Sequence, residues 1–292
     1  MKMINTMKTQ IPFFIKIIAH FFLHCNMPTF IISLLFLLVS IGCLSQTETS
    51  IPKAYDIYKT TKAPTIDGKI GKGEWKNAKW TNEFVDISDS INPIPKFKTK
   101  CKMLWDDQYL YIAAYLEEPD LWANLKNHDD IIFNDNDFEV FIDPGNDASN
   151  YFEIEINALG TVMDLFMHKT YKRGGPLDMK WRSEGMKSAI YLNGTLNDNT
   201  DKDKYWTIEM AIPYSSLEKP NRISQPSVGS TWRINFSRVQ WQTIPSGSTY
   251  IKKKTQEGKR LPESNWVWTP QGRIDMHIPE KWGYLNFKDH KK

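Results

Sequence analysis

From residue 97 onward, apolar and polar side chains alternate in short runs. Phe97 to Trp105 reads F-K-T-K-C-K-M-L-W. That order sets Phe97, Thr99, Cys101 and Met103 on one side and Lys98, Lys100 and Lys102 on the other. A period of two is the mark of a strand with one wet face. Asp106-Asp107-Gln108 predicts a turn and Tyr109 to Glu117 the returning strand of a hairpin. Phe138 to Ile142 alternates again, with Phe138, Val140 and Ile142 inward and Asp137, Glu139, Phe141 and Asp143 on the opposite face. After the turn cluster Asp143–Asp147, Tyr151 to Ala158 places Phe152, Ile154, Ile156 and Ala158 inward and Glu153, Glu155 and Asn157 outward. Further strands fit 161–168, 188–196, 206–212, 232–239 and 283–287. No amphipathic helix longer than about three turns is present, and Tyr214–Leu217 reads as one short turn. Many short strands separated by Gly, Pro, Asn and Asp predict an all-β antiparallel β-sandwich.

The first 45 residues follow other rules. Phe30 to Leu44 is an apolar run, short for a membrane span, followed at once by Gly42, Cys43 and Ser45. This predicts an export signal. Two processing routes fit it: cleavage after Ser45, leaving Gln46, or lipidation of Cys43 behind Ser40-Ile41-Gly42, in the manner of a bacterial lipobox. An uncleaved N-terminal anchor is the plainer reading. Met27 is an alternative start. The expected organisation is a signal over 1–45, a short lead-in over 46–60, the sandwich over 61–288 and a tail over 289–292. The protein is then expected in the periplasm, on the outer-membrane surface or outside the cell.

Composition narrows the chemistry. The chain of 292 residues is 41% hydrophobic and 24% charged, which excludes disorder and a multi-span membrane protein. Its net charge of +3 resides in Lys2, Lys8 and Lys16, so the body is neutral and nucleic acid is not an expected partner. With the signal removed, Cys101 is the remaining cysteine and no intrachain disulfide can form. There is no G-x-S-x-G, P-loop, H-E-x-x-H or paired C-x-x-C. One Cys and the four histidines His128, His168, His277 and His290 make a zinc site improbable, and no catalytic residue or metal site is assigned.

The aromatic load, 11 Trp, 12 Tyr and 15 Phe, is the main clue. Sugars offer flat C–H faces for rings to stack on and hydroxyls for Glu, Asn or Arg to bind. The plainer reading makes Trp75, Trp80, Trp105, Trp206 and Trp232 core residues. The acids on the outward faces of the two central strands would repel one another if the strands pair, so a compensating group is expected. Plain solvent, Arg238, a cation such as calcium or a set of sugar hydroxyls would each serve. Asp143–Asp147 has oxygen donors for calcium without the regular spacing of a dedicated loop.

Several motifs together resemble the family 9 carbohydrate-binding modules in their exported, Bacteroidetes-type form. They are Pro64-Thr65-Ile66-Asp67-Gly68 with Glu74-Trp75; Leu104-Trp105-Asp106 with Tyr109-Leu110-Tyr111; Asn136 to Asp143; Trp206 with Glu209 and Ile212-Pro213; Trp232 to Arg238; and Trp266 to Gly272 with Met276-His277 and Pro279 to Gly283. The resemblance implies a jelly-roll sandwich related to DOMON-type domains that binds plant or algal polysaccharides or their oligosaccharides, without catalysis, in support of polysaccharide catabolism. It also implies two clamping rings and a hydroxyl-binding Glu, here Glu139. The first ring falls near Phe133. The second falls at Met276, which is not aromatic, so Trp241, Trp266 or Trp268 is expected to substitute. An Arg of the family pattern is replaced by Glu155. The candidate ligand-binding set is Phe133, Asp137, Glu139, Glu155, Asn157, Arg238, Trp241, Trp268 and His277.

Two other functions compete. Glu139 with Asp137 or Glu155 would make the acid pair of a glycoside hydrolase, and the family is often attached to such enzymes. Met163, Met167, His168 and Met276-His277 would suit a haem b site like that of some DOMON relatives, although Met residues commonly fill core gaps.

Overall fold

A computed structural model describes residues 51–71, 73–89, 94–218 and 225–291. The export signal expected over 1–45, with Cys43, lies outside the described residues. Among the described residues the strands are β1 (Ala54–Lys59), β2 (Val85–Asp86), β3 (Thr99–Trp105), β4 (Tyr109–Glu117), β5 (Asp137–Asp143), β6 (Tyr151–Asn157), β7 (Val162–Met167) and β8 (Leu177–Asp178). They continue with β9 (Lys187–Asn193), β10 (Tyr205–Pro213), β11 (Thr231–Gln240), β12 (Thr243–Ser246), β13 (Thr249–Lys252), β14 (Ser264–Val267) and β15 (Gly283–Lys288). The described helices are short 3-10 turns, Tyr214–Leu217 among them. No described helix is long and apolar enough to cross a membrane.

Thirteen strands form one mixed sheet in the order β8-β7-β6-β5-β11-β15-β1-β3-β4-β10-β9, with β14 and β2 attached beside β11. β12 and β13 form a separate hairpin. The sheet curls so that one face of each half meets the other in a single core. Phe138, Ile154 and Phe166 come from one half, and Ile112, Trp206 and Ile208 from the other. This is the expected all-β sandwich, with two parallel pairings, β1/β15 and β1/β3, in an otherwise antiparallel ladder. Cys101 is buried and free.

β1 is the joint between the halves. It runs beside β15 from Ala54 to Tyr58 and touches β3 only at Tyr58 and Lys59. Where that second ladder is missing, the Tyr55 hydroxyl fills in, accepting from the Met103 N–H at 3.1 Å and donating to the Lys79 carbonyl at 2.6 Å. The lead-in expected over 46–60 therefore contains a strand of the sheet.

Pro64 to Gly68 is a loop, and it serves one buried acid. Glu209 accepts the N–H groups of Asp67 and Gly68 at 3.0 and 2.9 Å and the Trp75 indole N–H at 2.7 Å. Gly68 has φ +81°, and a Cβ there would lie 2.6 Å from the Ile190 backbone. Trp75, Trp105, Trp206 and Trp232 are core residues. Trp80 is not: it is 38% exposed and carries the Lys100 and Lys102 ammonium groups over its ring.

Gly283 lies where β15 passes the core ring of Trp268. A Cβ there would sit 2.4 Å from that ring and 2.9 Å from the Lys53 carbonyl. Gly283→Ala is expected to destabilise the fold by about 1–3 kcal/mol through overpacking. An unchanged urea midpoint would contradict this packing.

Candidate functional site

The outer face of β5 and β6 is the origin of the site. Register pairs Ser237 with Glu139, Glu139 with Glu155 and Glu155 with Met163, one row across four strands. The next row runs Asn235, Phe141, Glu153 and Leu165. Alternation correctly assigns these residues to one face, but the face is not wet. Ile132, Met276 and Trp282 come from loops and pack on Phe141, Tyr151, Met163 and Leu165 as a second core. All seven residues of β5 and all seven of β6 are consequently buried.

Beside this roof, over the same strands and reached by Met276, lies a cavity of about 350 Å³. Its floor is acidic, formed by Glu139, Glu153 and Glu155, and its rim carries Phe133 and Tyr171. These rings are 41% and 47% exposed, unusual for large aromatics in this chain. Tyr171 meets His277 edge-on at 5.1 Å, which fixes its side of the rim. The Phe133 backbone N–H donates to Glu155 at 3.0 Å, so one acid holds the other ring's loop in place. A concave site with rings above and hydroxyl-binding groups below can grip a saccharide from its flat face and its edge.

Burial governs the electrostatics. It lifts the Glu139 carboxyl to about 7. Burial, reinforced by the charge of Glu139, lifts Glu153 to about 8 and raises Glu155 and Asp137 well above the ordinary range. Burial works the other way on the His277 imidazole, lowering it to about 4. His277 is thus neutral at neutral pH; its Nδ1 shares a 2.8 Å hydrogen bond with the Tyr151 hydroxyl. Asp137, Glu139 and Glu155 bring candidate metal-ligand oxygens within 4.8 Å of one another. The Asp143 carboxylate is turned to its own loop, accepting the Ala148 N–H at 2.8 Å.

Of the residues proposed from sequence, Phe133, Glu139, Glu155 and His277 meet at this cavity. Asp137 lies sealed beside it on the same face of β5, with one oxygen held by the Val239 N–H at 3.0 Å. Asn157 is also sealed. Its amide donates to Leu125 and Asp135, and its carbonyl accepts from Leu159 and Thr161, leaving nothing for a ligand. Arg238 does not balance the acids. It is on the inner face of β11, bonded to Glu118 at 3.0 Å and to Gln240 and Thr99. Trp268 is a core ring packed on Phe236. Trp241 is buried under Lys252 and Arg260, and its indole N–H holds the Phe133 carbonyl at 2.8 Å. It therefore supports the rim without being part of it. Met163, Met276 and His277 reach the cavity, Met167 is sealed in the second core and His168 is exposed.

Sequence reasoning missed two members. Tyr171 stands in a loop whose Gly-Gly-Pro marks only a turn, so no periodicity points to its ring. Glu153 was legible as an outward acid, and its place over the cavity depends on the roof.

The Carbohydrate family 9 binding domain-like model matches residues 66–235, more than half of the chain. The chain belongs to this family. Endo-1,4-beta-xylanase C of Paenibacillus barcinonensis is 31% identical over 198 residues, which are 64% of this chain and 15% of the xylanase. The family 9 module of Caldicellulosiruptor kristjanssonii, solved with cellotriose, superposes with a TM-score of 0.51 at 16% identity, covering 82% of this chain and 96% of that module. A presumed carbohydrate-binding protein of Bacteroides uniformis superposes at 0.58 with 17% identity, covering 82% of this chain and 100% of that one. These two structures confirm the family 9 sandwich fold.

Two predictions follow from the electrostatics. Removing the guanidinium in Arg238→Met strands a buried Glu118 charge and is expected to cost about 3–5 kcal/mol, with Glu118→Gln in the same chain restoring part of it. No recovery in the double variant would contradict the pairing. The acids with raised folded-state values stabilise fully below the ordinary carboxylate range and lose that contribution as pH rises through about 7 and 8. The depressed His277 loses its contribution as pH falls toward about 4, so the two effects separate. Between about pH 6.5 and 8 the urea midpoint is expected to fall, and Glu153→Gln to flatten the fall. A midpoint that climbs across that window would contradict the buried acid cluster.

Proposed function

We propose that the protein binds carbohydrate without turning it over, as an accessory to polysaccharide breakdown. One observation carries this reading: in a family 9 chain, two exposed rings, Phe133 and Tyr171, rim a cavity whose floor is Glu139, Glu153 and Glu155. Tyr171 supplies the second ring that Met276 does not. The relative solved with cellotriose supports an oligosaccharide of plant or algal type as ligand. The xylanase C region supports association with glycoside hydrolases, and it supports export as well. The apolar run Phe30 to Leu44 would direct that export, and Cys43 would be the lipid tether.

The hydrolase reading starts from the same acids, since Glu139 and Glu155 approach within 4.8 Å. A retaining enzyme needs carboxyls on opposite sides of the scissile bond, about 5 Å apart. Here both rise side by side from one floor, which favours holding a ligand over cleaving it.

Titration calorimetry of the purified protein against neutral and charged oligosaccharides tests the binding. Phe133→Ala and Tyr171→Ala are each expected to weaken it by about 1 kcal/mol from lost stacking. Glu139→Gln is expected to weaken it by about 1–3 kcal/mol. Unchanged affinity in all three variants would remove the cavity from the function, and sugar release during the titration would restore the hydrolase.

A further inference from the structure

Most buried acids in this protein have a visible answer. Glu118 has Arg238, Glu209 has three N–H donors, and Asp203 accepts from Leu121 and Thr195. The second cluster able to hold a metal, His128, Asp129 and Asp164, has Arg182 beside both aspartates. The cavity floor differs. Among the described residues no Lys or Arg forms an ion pair with Asp137, Glu139, Glu153 or Glu155. The nearest ring nitrogen, His277 Nε2, is 3.8 Å from Glu153 Oε2 and belongs to a neutral imidazole. Oε2 of Glu153, on the cavity wall and buried, accepts no hydrogen bond, and neither does Oδ2 of Asp137 beside the cavity on the same face. The rim adds Glu263 and Asp275, and the cations near it, Lys172 and Arg273, are paired with Asp275. The cavity floor thus carries carboxyls with no Lys or Arg paired to them and an acceptor left open.

We infer that this floor selects a saccharide bearing a protonated amine, a glucosamine-type unit, over neutral and uronic sugars. The inference rests on the carbohydrate reading of the same cavity and names its ligand class. An ammonium presents three N–H donors, and three carboxyls face the cavity. The rings at the rim take the sugar's C–H face, so charge and shape are met by one ligand. An N-acetyl group removes the charge, and a uronate adds a like charge to the floor. A calcium ion would want six to eight oxygen ligands, whereas the cavity wall around the acids is Phe141, Met163 and Leu165.

The test is calorimetry on the purified protein with the glucosamine dimer, its di-N-acetyl form and cellobiose, each in excess EDTA and again in excess calcium chloride. The glucosamine dimer is expected to bind about tenfold tighter than either of the others in both media, the size of one charge-assisted hydrogen bond. Glu153→Gln, checked for folding by its thermal melt, is expected to narrow that ratio. The wild-type ratio decides the matter even if the variant fails to fold. Cellobiose binding as tightly as the glucosamine dimer would overturn the amine selection and leave carbohydrate binding standing. Cellobiose binding that needs calcium would place a metal in the floor and likewise overturn it. Silence with all three sugars would remove both readings from this cavity.

Discussion

The structure turns on acids that are cut off from water on the side of a sheet facing away from the main core. On an open sheet Glu139, Glu153 and Glu155 would be a solvated stripe with ordinary titration and no consequence. The roof of Ile132, Met276 and Trp282 changes their chemistry by removing the solvent that would screen them. It also borders the cavity, which Met276 reaches from the roof. Site and electrostatics therefore have one origin.

The rest of the fold is arranged to hold that face still. Inward side chains tie β5 to β11 through Phe138, Phe236 and Trp268. Trp241 and Glu155 fix the loop that carries Phe133 from opposite sides. Acids with structural work are recognisable by their donors, as with Glu209 and Asp203. The contrast separates a scaffold acid from a cavity-facing one without reference to its sequence motif.

Much of this architecture was legible in the alternation of side chains. The hairpin of β3 and β4 and the phases of β5 and β6 follow from period two. The family resemblance pointed to Glu139 and to the ring near Phe133, and both line the cavity. Arg238, expected from sequence to balance the acids, is a miss that parity could have prevented. Trp232, Ile234 and Phe236 point inward, and Arg238 shares their parity, so it had to face the core rather than the acids. What sequence could not give is the roof, since Met276 and Trp282 lie more than a hundred positions from the strands they cover. β1 was missed because Ala54–Lys59 is short and its partners lie in distant sequence. Tyr171 was missed because nothing periodic surrounds it.

The parallel pairing of β1 with β15 bears on how the chain matures. Ala54 finds its neighbour at Tyr284, so the ribbon that ties the halves closes only when the last residues are available. Loop closure over so long a stretch is slow. A nascent chain emerging from the ribosome would hold Ala54–Lys59 unmatched until synthesis is nearly done, which leaves the joint of the two halves open for almost the whole of translation.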